Sequence, residues 1–141
     1  MSRCLLLFAF FLSLANLAGQ ATASPADQDH IISIFFGGGS YYIDAEQATR
    51  LKQFLDAIPN LEAYEIEVQA HTDDIGNRAY NLRLSEFRGA AVRERLIQYP
   101  VAPEAIQVLP LGEDAPVYNN ATWEGKISNR RVDVILKRIL F

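Results

Sequence analysis

The sequence predicts an α+β fold, a two-layer α/β sandwich in which helices cover a mixed sheet. The first observation is the order of apolar patterns, which alternate between strand-like and helix-like stretches and give a βαβαββ order. The second is that a helix follows each of the first two strands, as expected for crossovers that place both helices on one face. The third is the absence of an internal repeat, a low-complexity tract or a second domain. We therefore expect one domain, at residues 31–141.

The first half of this domain contains a strand and a helix. Residues 31–36 are apolar and mostly β-branched or aromatic, and the glycines at 37–39 end the run, which predicts a buried strand. Residues 45–58 carry apolar side chains at helical spacing. Asp44 is a candidate N-cap, and Pro59 ends the pattern.

The second half continues the alternation. Residues 64–70 alternate polar and apolar side chains, which predicts a second strand. A second helix is expected at 78–99, closed by Pro100. The rest divides into a third strand, a long loop and a last strand, at residues 106–111, 112–129 and 131–136.

The N-terminus has the layout of a secretory signal peptide, predicted at residues 1–23. One basic residue, Arg3, precedes an apolar run at 5–15, and small residues lead to a predicted cleavage after Ala23. A short polar leader, residues 24–30, would follow. The apolar run is shorter than the roughly 20 residues that span a membrane. The alternative, in which the segment is kept as an anchor, stays open.

The single cysteine and the charge balance narrow the class of protein. Cys4 precedes the apolar run, so it would not become the lipid-modified first residue of a mature chain. Removal of residues 1–23 takes away one basic residue and no acidic one, so the formal net charge goes from −4 to −5. An acidic chain is a poor non-specific binder of nucleic acid. It can still bind a small zwitterion, and we expect no membrane span in the mature chain.

The most informative stretch follows the second predicted strand. Residues 71–76 read His-Thr-Asp-Asp-Ile-Gly, and the helix after them contains Tyr-Asn, Leu-Ser and then an arginine. Leu84, Arg88 and Val92 are spaced i, i+4 and i+8, so a permanently charged guanidinium lies on an apolar helix face. That charge requires a partner or a ligand.

Asp73 and Arg88 are predicted to face one pocket. Asp73 lies at the carboxyl end of a strand, where α/β sheets commonly bind ligands. The long side chain of Arg88 extends toward the N-terminal end of its helix, near the Asp73 loop. The alternative is a half-buried salt bridge in which the two charges neutralise each other without a ligand.

These elements, in this order, resemble the OmpA C-terminal-like family, which includes the Pal lipoproteins and the MotB stator proteins. The resemblance rests on the motif at 71–88, on Asn-Ala-Thr-Trp-Glu-Gly at 120–125, and on Asn-Arg-Arg-Val at 129–132. Residues 34–43 resemble the first strand of the family and the loop after it. The likeness runs from about residue 31 to residue 136.

The resemblance implies non-catalytic binding of peptidoglycan in the periplasm, without a cofactor or a metal. The ligand would be the diaminopimelate of the stem peptide, whose side chain ends in an ammonium and a carboxylate on one carbon. Asp73 would accept from the ammonium, and Arg88 would hold the carboxylate through its planar fork. The rest of the pocket would come from Asn81, Thr72, Gly38, Gly39 and Leu84. The protein would be a wall-bound subunit of a larger envelope assembly.

Two other functions are considered. An interaction module would keep the fold and bind a protein through the loop at 118–128. A wall hydrolase lacks candidate groups, since His71 is interpreted as a packed strand-end residue and Ser85 has no obvious base. Arg130 and Arg131 are interpreted as pairing with acidic neighbours at the entry to the last strand.

Glycines depart from the family pattern at two places in the sequence. Gly89 follows Arg88 inside the predicted helix and is expected to cost the helix up to about 1 kcal/mol. The loop after the first strand offers Gly38 and Gly39 where relatives often carry a polar side chain. We therefore expect the pocket to lack one side-chain contact.

Overall fold

The computed structural model describes residues 29–139, which form a four-stranded mixed sheet covered on one face by two helices. The predicted fold class is confirmed. The predicted signal peptide, its cleavage after Ala23 and most of the leader lie outside the described residues.

Every predicted strand and helix is present, with ends displaced by at most three residues. The elements are β1 (His30–Phe35), α1 (Ala45–Asp56), β2 (Tyr64–His71), α2 (Arg78–Leu96), β3 (Ile106–Gly112), α3 (Trp123–Asn129) and β4 (Arg131–Arg138). Short 3-10 turns, Leu61–Ala63 and Pro103–Ala105, precede β2 and β3.

The sheet has the order β1-β4-β2-β3. The central strand β4 runs antiparallel to both β1 and β2, whereas β2 and β3 are parallel. It follows that β1 and β2 end, and β4 begins, at the same edge of the sheet. The loop after β1, the loop after β2 and the segment entering β4 therefore meet there.

Each of the two long helices begins at a side-chain cap. The Asp44 carboxylate accepts from the backbone N–H of Gln47 at 2.8 Å, and the Asn77 side chain accepts from that of Tyr80 at 2.8 Å. Within residues 29–139, no helix is both long and apolar enough to cross a membrane.

The core lies between the two helices and the sheet. In α2 the residues Leu84, Arg88 and Val92 are all buried, as their spacing predicts. Apolar side chains from the helices and one sheet face form the core, among them Leu51, Leu55, Leu96, Ile34, Ile66, Val68, Val132, Val134 and Leu136.

The structure corrects the long loop predicted at 112–129, because its last third is the helix α3. The Thr122 hydroxyl accepts from the N–H of Gly125 at 3.1 Å and caps the helix. The buried Asn129 ends it and donates its amide to the carbonyl of Tyr118 at 2.8 Å. Polar contacts stabilise α3. Its sequence therefore lacks the apolar periodicity from which the two longer helices were predicted.

Candidate functional site

A cavity of about 150 Å³ lies at the sheet edge where β1 and β2 end and β4 begins. Its lining residues are Gly38, Gly39, Asp73, Ile75, Tyr80, Leu84 and Arg130. Four of the seven residues predicted for the site are therefore in the lining. The other three, Thr72, Asn81 and Arg88, are buried.

Asp73 is paired with an arginine other than the one predicted. Its Oδ2 accepts from Nε of Arg130 at 2.7 Å, and its Oδ1 accepts from the N–H of Ile75 at 3.3 Å. Both side chains of the ion pair are about 10% exposed. A direct salt bridge between Asp73 and Arg88, the alternative considered from the sequence, does not form. Asp73 thus presents its carboxylate to the cavity with Arg130 as its resident counter-charge.

Arg88 is buried and hydrogen-bonded to backbone carbonyls. Its Nε donates to Ser40 at 2.8 Å, its Nη1 to His71 at 2.9 Å and its Nη2 to Gly37 at 3.0 Å. Its guanidinium also lies 5.1 Å from the centre of the Phe36 ring. Arg88 therefore fastens the loop after β1 to the end of β2, while two of its five N–H groups make none of these bonds.

Burial of the charged guanidinium of Arg88 costs free energy. Burial lowers the pKa of Arg88 to about 10, the nearby Asp73 carboxylate opposes that change, and Arg130 adds to it. The guanidinium still carries its charge at neutral pH. The cavity thus has one carboxylate and two cations in or next to its wall.

Arg130 is the site residue that the sequence reasoning placed elsewhere. Its predicted pairing with an acidic neighbour is confirmed, as is that of Arg131, which lies 3.0 Å from Asp133. Its lining of the cavity was missed. The sheet topology could have indicated this position. Arg130 directly precedes β4, and β4 begins at the sheet edge where the parallel strands end.

Packing on both sides fixes the plane of Arg130. The Trp123 ring centre lies 4.9 Å from its guanidinium carbon. A Cβ atom at Gly38 would lie 3.3 Å from its Nη1, so the glycine leaves room for the arginine. Gly39 has a φ of 65°, a conformation that favours glycine. The guanidinium of Arg130 thus occupies the space beside Gly38.

Two buried acceptors near the cavity have no hydrogen-bond partner among the described residues. They are Oγ1 of Thr72 and Oδ1 of Asn81. Thr72 is 1% exposed and Asn81 is 0% exposed. The amide nitrogen of Asn81 donates to the Glu113 carboxylate, which fixes the direction of its oxygen. Both oxygen atoms have almost no exposed surface, and neither residue is in the cavity lining.

The helix α3 is tied to the loop after β2 by two ion pairs. Arg130 binds Asp73, and Lys126, one helical turn earlier, binds Asp74. The adjacent residues Asp73 and Asp74 are therefore each paired with a basic residue, one in α3 and one directly after it. The pair with Asp73 keeps the guanidinium of Arg130 in the cavity wall.

His71 and Ser85 both contact neighbouring residues of the fold. Nε2 of His71 lies 3.6 Å from Asp133, and burial, helped by Arg131, lowers the pKa of His71 below 6.5 despite the opposing carboxylate and the Ala115 backbone. The hydroxyl of Ser85 donates to the Leu82 carbonyl at 2.7 Å. Within residues 29–139, no group of His, Cys, Asp and Glu side chains is arranged to hold a metal ion.

Comparison with known proteins supplies the family. Residues 35–130 match the model of the OmpA family. Outer membrane porin F of Pseudomonas fluorescens is 41% identical over 83 residues, covering 59% of this chain and 26% of the porin. The peptidoglycan-associated lipoprotein of Mesorhizobium japonicum is 35% identical over 106 residues, covering 72% of this chain and 62% of the lipoprotein. The chain thus spans less than two thirds of either relative.

A solved structure agrees with these relatives. The crystal structure of the peptidoglycan-associated lipoprotein from Burkholderia pseudomallei is 28% identical to this chain, with a TM-score of 0.62. The match covers 74% of this chain and 89% of that one. Since the family model alone matches more than half of the sequence, and the fold agrees, the chain belongs to the OmpA family.

Proposed function

We propose that this protein binds peptidoglycan without catalysis, through the diaminopimelate of the stem peptide, in the periplasm. The observation that carries the proposal is the cavity of about 150 Å³ in which the Asp73 carboxylate and the guanidinium of Arg130 meet above the buried Arg88. Relatives named as peptidoglycan-associated lipoproteins support the same ligand class. The protein would act as a wall-bound component of an envelope assembly.

The chemistry of the ligand matches the groups around the cavity. The side chain of diaminopimelate ends in an ammonium and a carboxylate on one carbon. Asp73, which lines the cavity, supplies the acceptor for the ammonium. Arg130, displaced from Asp73 by that ammonium, supplies a planar fork for the carboxylate. The N–H groups of Arg88 that bind no carbonyl add positive charge beneath it.

The same groups argue for binding and against turnover. Ion-pairing and hydrogen-bonding side chains surround the cavity, whereas a hydrolase needs a nucleophile or an activated water with a general base. The described residues that surround the cavity include no paired nucleophile and base. The proposed role is therefore to hold the wall polymer.

The test uses Asp73→Asn, because Arg88 supports the backbone and its removal would confound folding with binding. We expect Asp73→Asn to weaken binding of a diaminopimelate-containing tripeptide by about tenfold or more in calorimetry, since hydrogen bonds to charged groups contribute about 1.5–3 kcal/mol. The variant should also be lost from sacculus pull-downs.

Asp56→Asn is the matched control, because Asp56 is also ion-paired, with Lys52, and is absent from the cavity lining. It should bind sacculi and tripeptide as the wild type does. Circular dichroism must show that both variants are folded. Wild-type affinity in a folded Asp73→Asn variant would overturn the proposal.

One observation favours a second candidate function, an interaction module for a protein partner. The segment around α3 exposes four large apolar side chains, with exposures of 69% for Val117, 46% for Tyr118, 60% for Trp123 and 42% for Ile127. If Val117→Ser with Ile127→Ser removed wall association while Asp73→Asn did not, the protein would reach the wall through such a partner.

A further inference from the structure

Three exposed aromatic side chains form a strip beside the cavity. Tyr80 and Phe87, on α2, are 49% and 48% exposed, and Tyr41, in the loop after β1, is 55% exposed. The rings of Tyr41 and Phe87 lie 5.3 Å apart with an angle of 40° between their planes. We call Tyr80, Phe87 and Tyr41 the aromatic strip.

The aromatic strip is continuous with the cavity. Tyr80 lines the cavity itself, and so does Leu84, one turn further along α2. Phe87 follows Tyr80 by seven residues, so both lie on the same side of the helix, about 10 Å apart along its axis. The strip thus begins at the cavity mouth and runs away from it across the surface.

We infer that the aromatic strip is a second subsite, which binds a sugar ring of the glycan strand whose stem peptide enters the cavity. This inference rests on the proposed function. Two amino acids separate diaminopimelate from the muramic acid to which the peptide is attached. At about 3.3–3.6 Å per extended residue, these two residues span about 7 Å, and the side chain of diaminopimelate adds to that reach. The first sugar can therefore reach Phe87, which lies about 10 Å along α2 from Tyr80.

The chemistry of the strip suits a sugar. The C–H groups on the face of a pyranose ring carry partial positive charge, and the faces of Tyr41 and Phe87 carry the negative part of the aromatic quadrupole. Arg83 lies between Tyr80 and Phe87 on α2 and is 70% exposed in its side chain. Its contact to Glu86 is long, at 3.7 Å, so both side chains can exchange it for sugar hydroxyl and acetamido groups.

The size of the strip favours a sugar over a second copy of the chain. Aromatic side chains bury about 150–250 Å² each when fully covered, and these three are already about half covered. Covering the strip would bury a few hundred Å², below the roughly 800 Å² per partner of a stable protein interface. A monosaccharide or disaccharide matches that area.

The experiment compares two ligands on each variant by calorimetry: a diaminopimelate tripeptide, and the same tripeptide carrying the N-acetylglucosamine–N-acetylmuramic acid disaccharide. We expect the wild type to prefer the disaccharide form by about tenfold, as two aromatic contacts would supply. Phe87→Ala and Tyr41→Ala should reduce that preference toward one while leaving tripeptide affinity unchanged. Leu82→Ala, also exposed on α2 but outside the cavity lining and the strip, is the matched control and should keep the preference.

Each other outcome has a definite meaning. Equal wild-type affinity for the two ligands would overturn the sugar subsite and leave the proposed function standing. A preference that survives in both folded Phe87→Ala and Tyr41→Ala would also overturn it. If neither ligand bound the wild type, the proposed function itself would fail. If Phe87→Ala changed only the sedimentation of the protein, the strip would belong to a protein contact and the inference would be wrong.

Discussion

Arg88 shows how one residue serves both the backbone and the site. The resemblance to OmpA-like domains assigned it to a ligand carboxylate. The structure gives it three backbone carbonyls, two in the loop after β1 and one at the end of β2. A cation below the cavity is still present for a ligand, but the same side chain holds the cavity wall together. Stability and binding therefore cannot be separated by removing it.

We predict that Arg88→Ala lowers the free energy of unfolding by about 3 kcal/mol or more, measured by urea denaturation. One buried and two part-buried carbonyls would lose their donor, at roughly 1–3 kcal/mol for each that stays unsatisfied. Arg83→Ala, on the same helix with its side chain exposed, should change stability by less than about 0.5 kcal/mol. An Arg88→Ala variant as stable as the wild type would show that Arg88 only binds ligand.

At the scale of single residues, the sequence predicted which residues lie close together but not which ion pairs they form. Asp73 and Arg88 were placed at one sheet edge from strand ends and helix spacing, and both are there. The ion pair of Asp73 with Arg130 joins residues 57 apart in the chain. Such a pairing depends on where β4 enters the sheet, which neither local propensity nor periodicity specifies.

At the scale of the elements, Gly89 sets how closely α2 approaches the sheet. A glycine inside a helix is expected to cost up to about 1 kcal/mol relative to alanine. A Cβ atom at this position would lie 2.5 Å from Cγ1 of Val108 in β3. The helix propensity lost at Gly89 is therefore offset by the close packing of α2 on β3.

We predict that Gly89→Ala destabilises the domain, because overpacking of about 1–3 kcal/mol exceeds the gain in helix propensity. The added methyl group should be tolerated when Val108 is also shortened. Thermal and urea unfolding of Gly89→Ala, Val108→Ala and the double variant form a cycle, and its coupling energy should favour the double variant. A stabilised Gly89→Ala would refute the close approach.

The elements differ in how well the sequence predicted them. The strands and the two long helices were found because apolar periodicity and caps agree with tertiary packing there. The helix α3 was missed, since its seven residues depend on the cap at Thr122 and on the buried Asn129. The first is a local hydrogen bond and the second joins residues 11 apart in the chain, and a pattern of hydrophobic residues indicates neither.

At the scale of the whole molecule, stability is expected to depend on pH through His71. Burial holds the folded-state pKa of His71 below 6.5, so at mildly acidic pH the unfolded chain binds a proton that the folded chain does not. We predict that the free energy of unfolding falls as pH drops below about 6.5, and that His71→Gln flattens this decline. Urea denaturation at pH 7.5, 6 and 5 measures both.

A second decline at lower pH has a different origin. Side-chain hydrogen bonds from Lys137 and Arg78 lower the pKa of Glu67 and Asp114 below their ordinary values of 4.5 and 3.8. Their stabilisation is present above those values and is lost as pH falls through the lowered ones. A decline in the His71→Gln variant that still begins near pH 6.5 would contradict the assignment to His71.

In the resident pair, the guanidinium of Arg130 already neutralises the Asp73 carboxylate. Magnesium ions, polyamines and lysine side chains are abundant monofunctional cations, and each would have to take the carboxylate while leaving a nearly buried guanidinium without a counter-ion. A molecule that carries both signs on one carbon restores two pairs for the one it breaks. We therefore expect the Asp73–Arg130 pair to disfavour simple cations relative to a zwitterion.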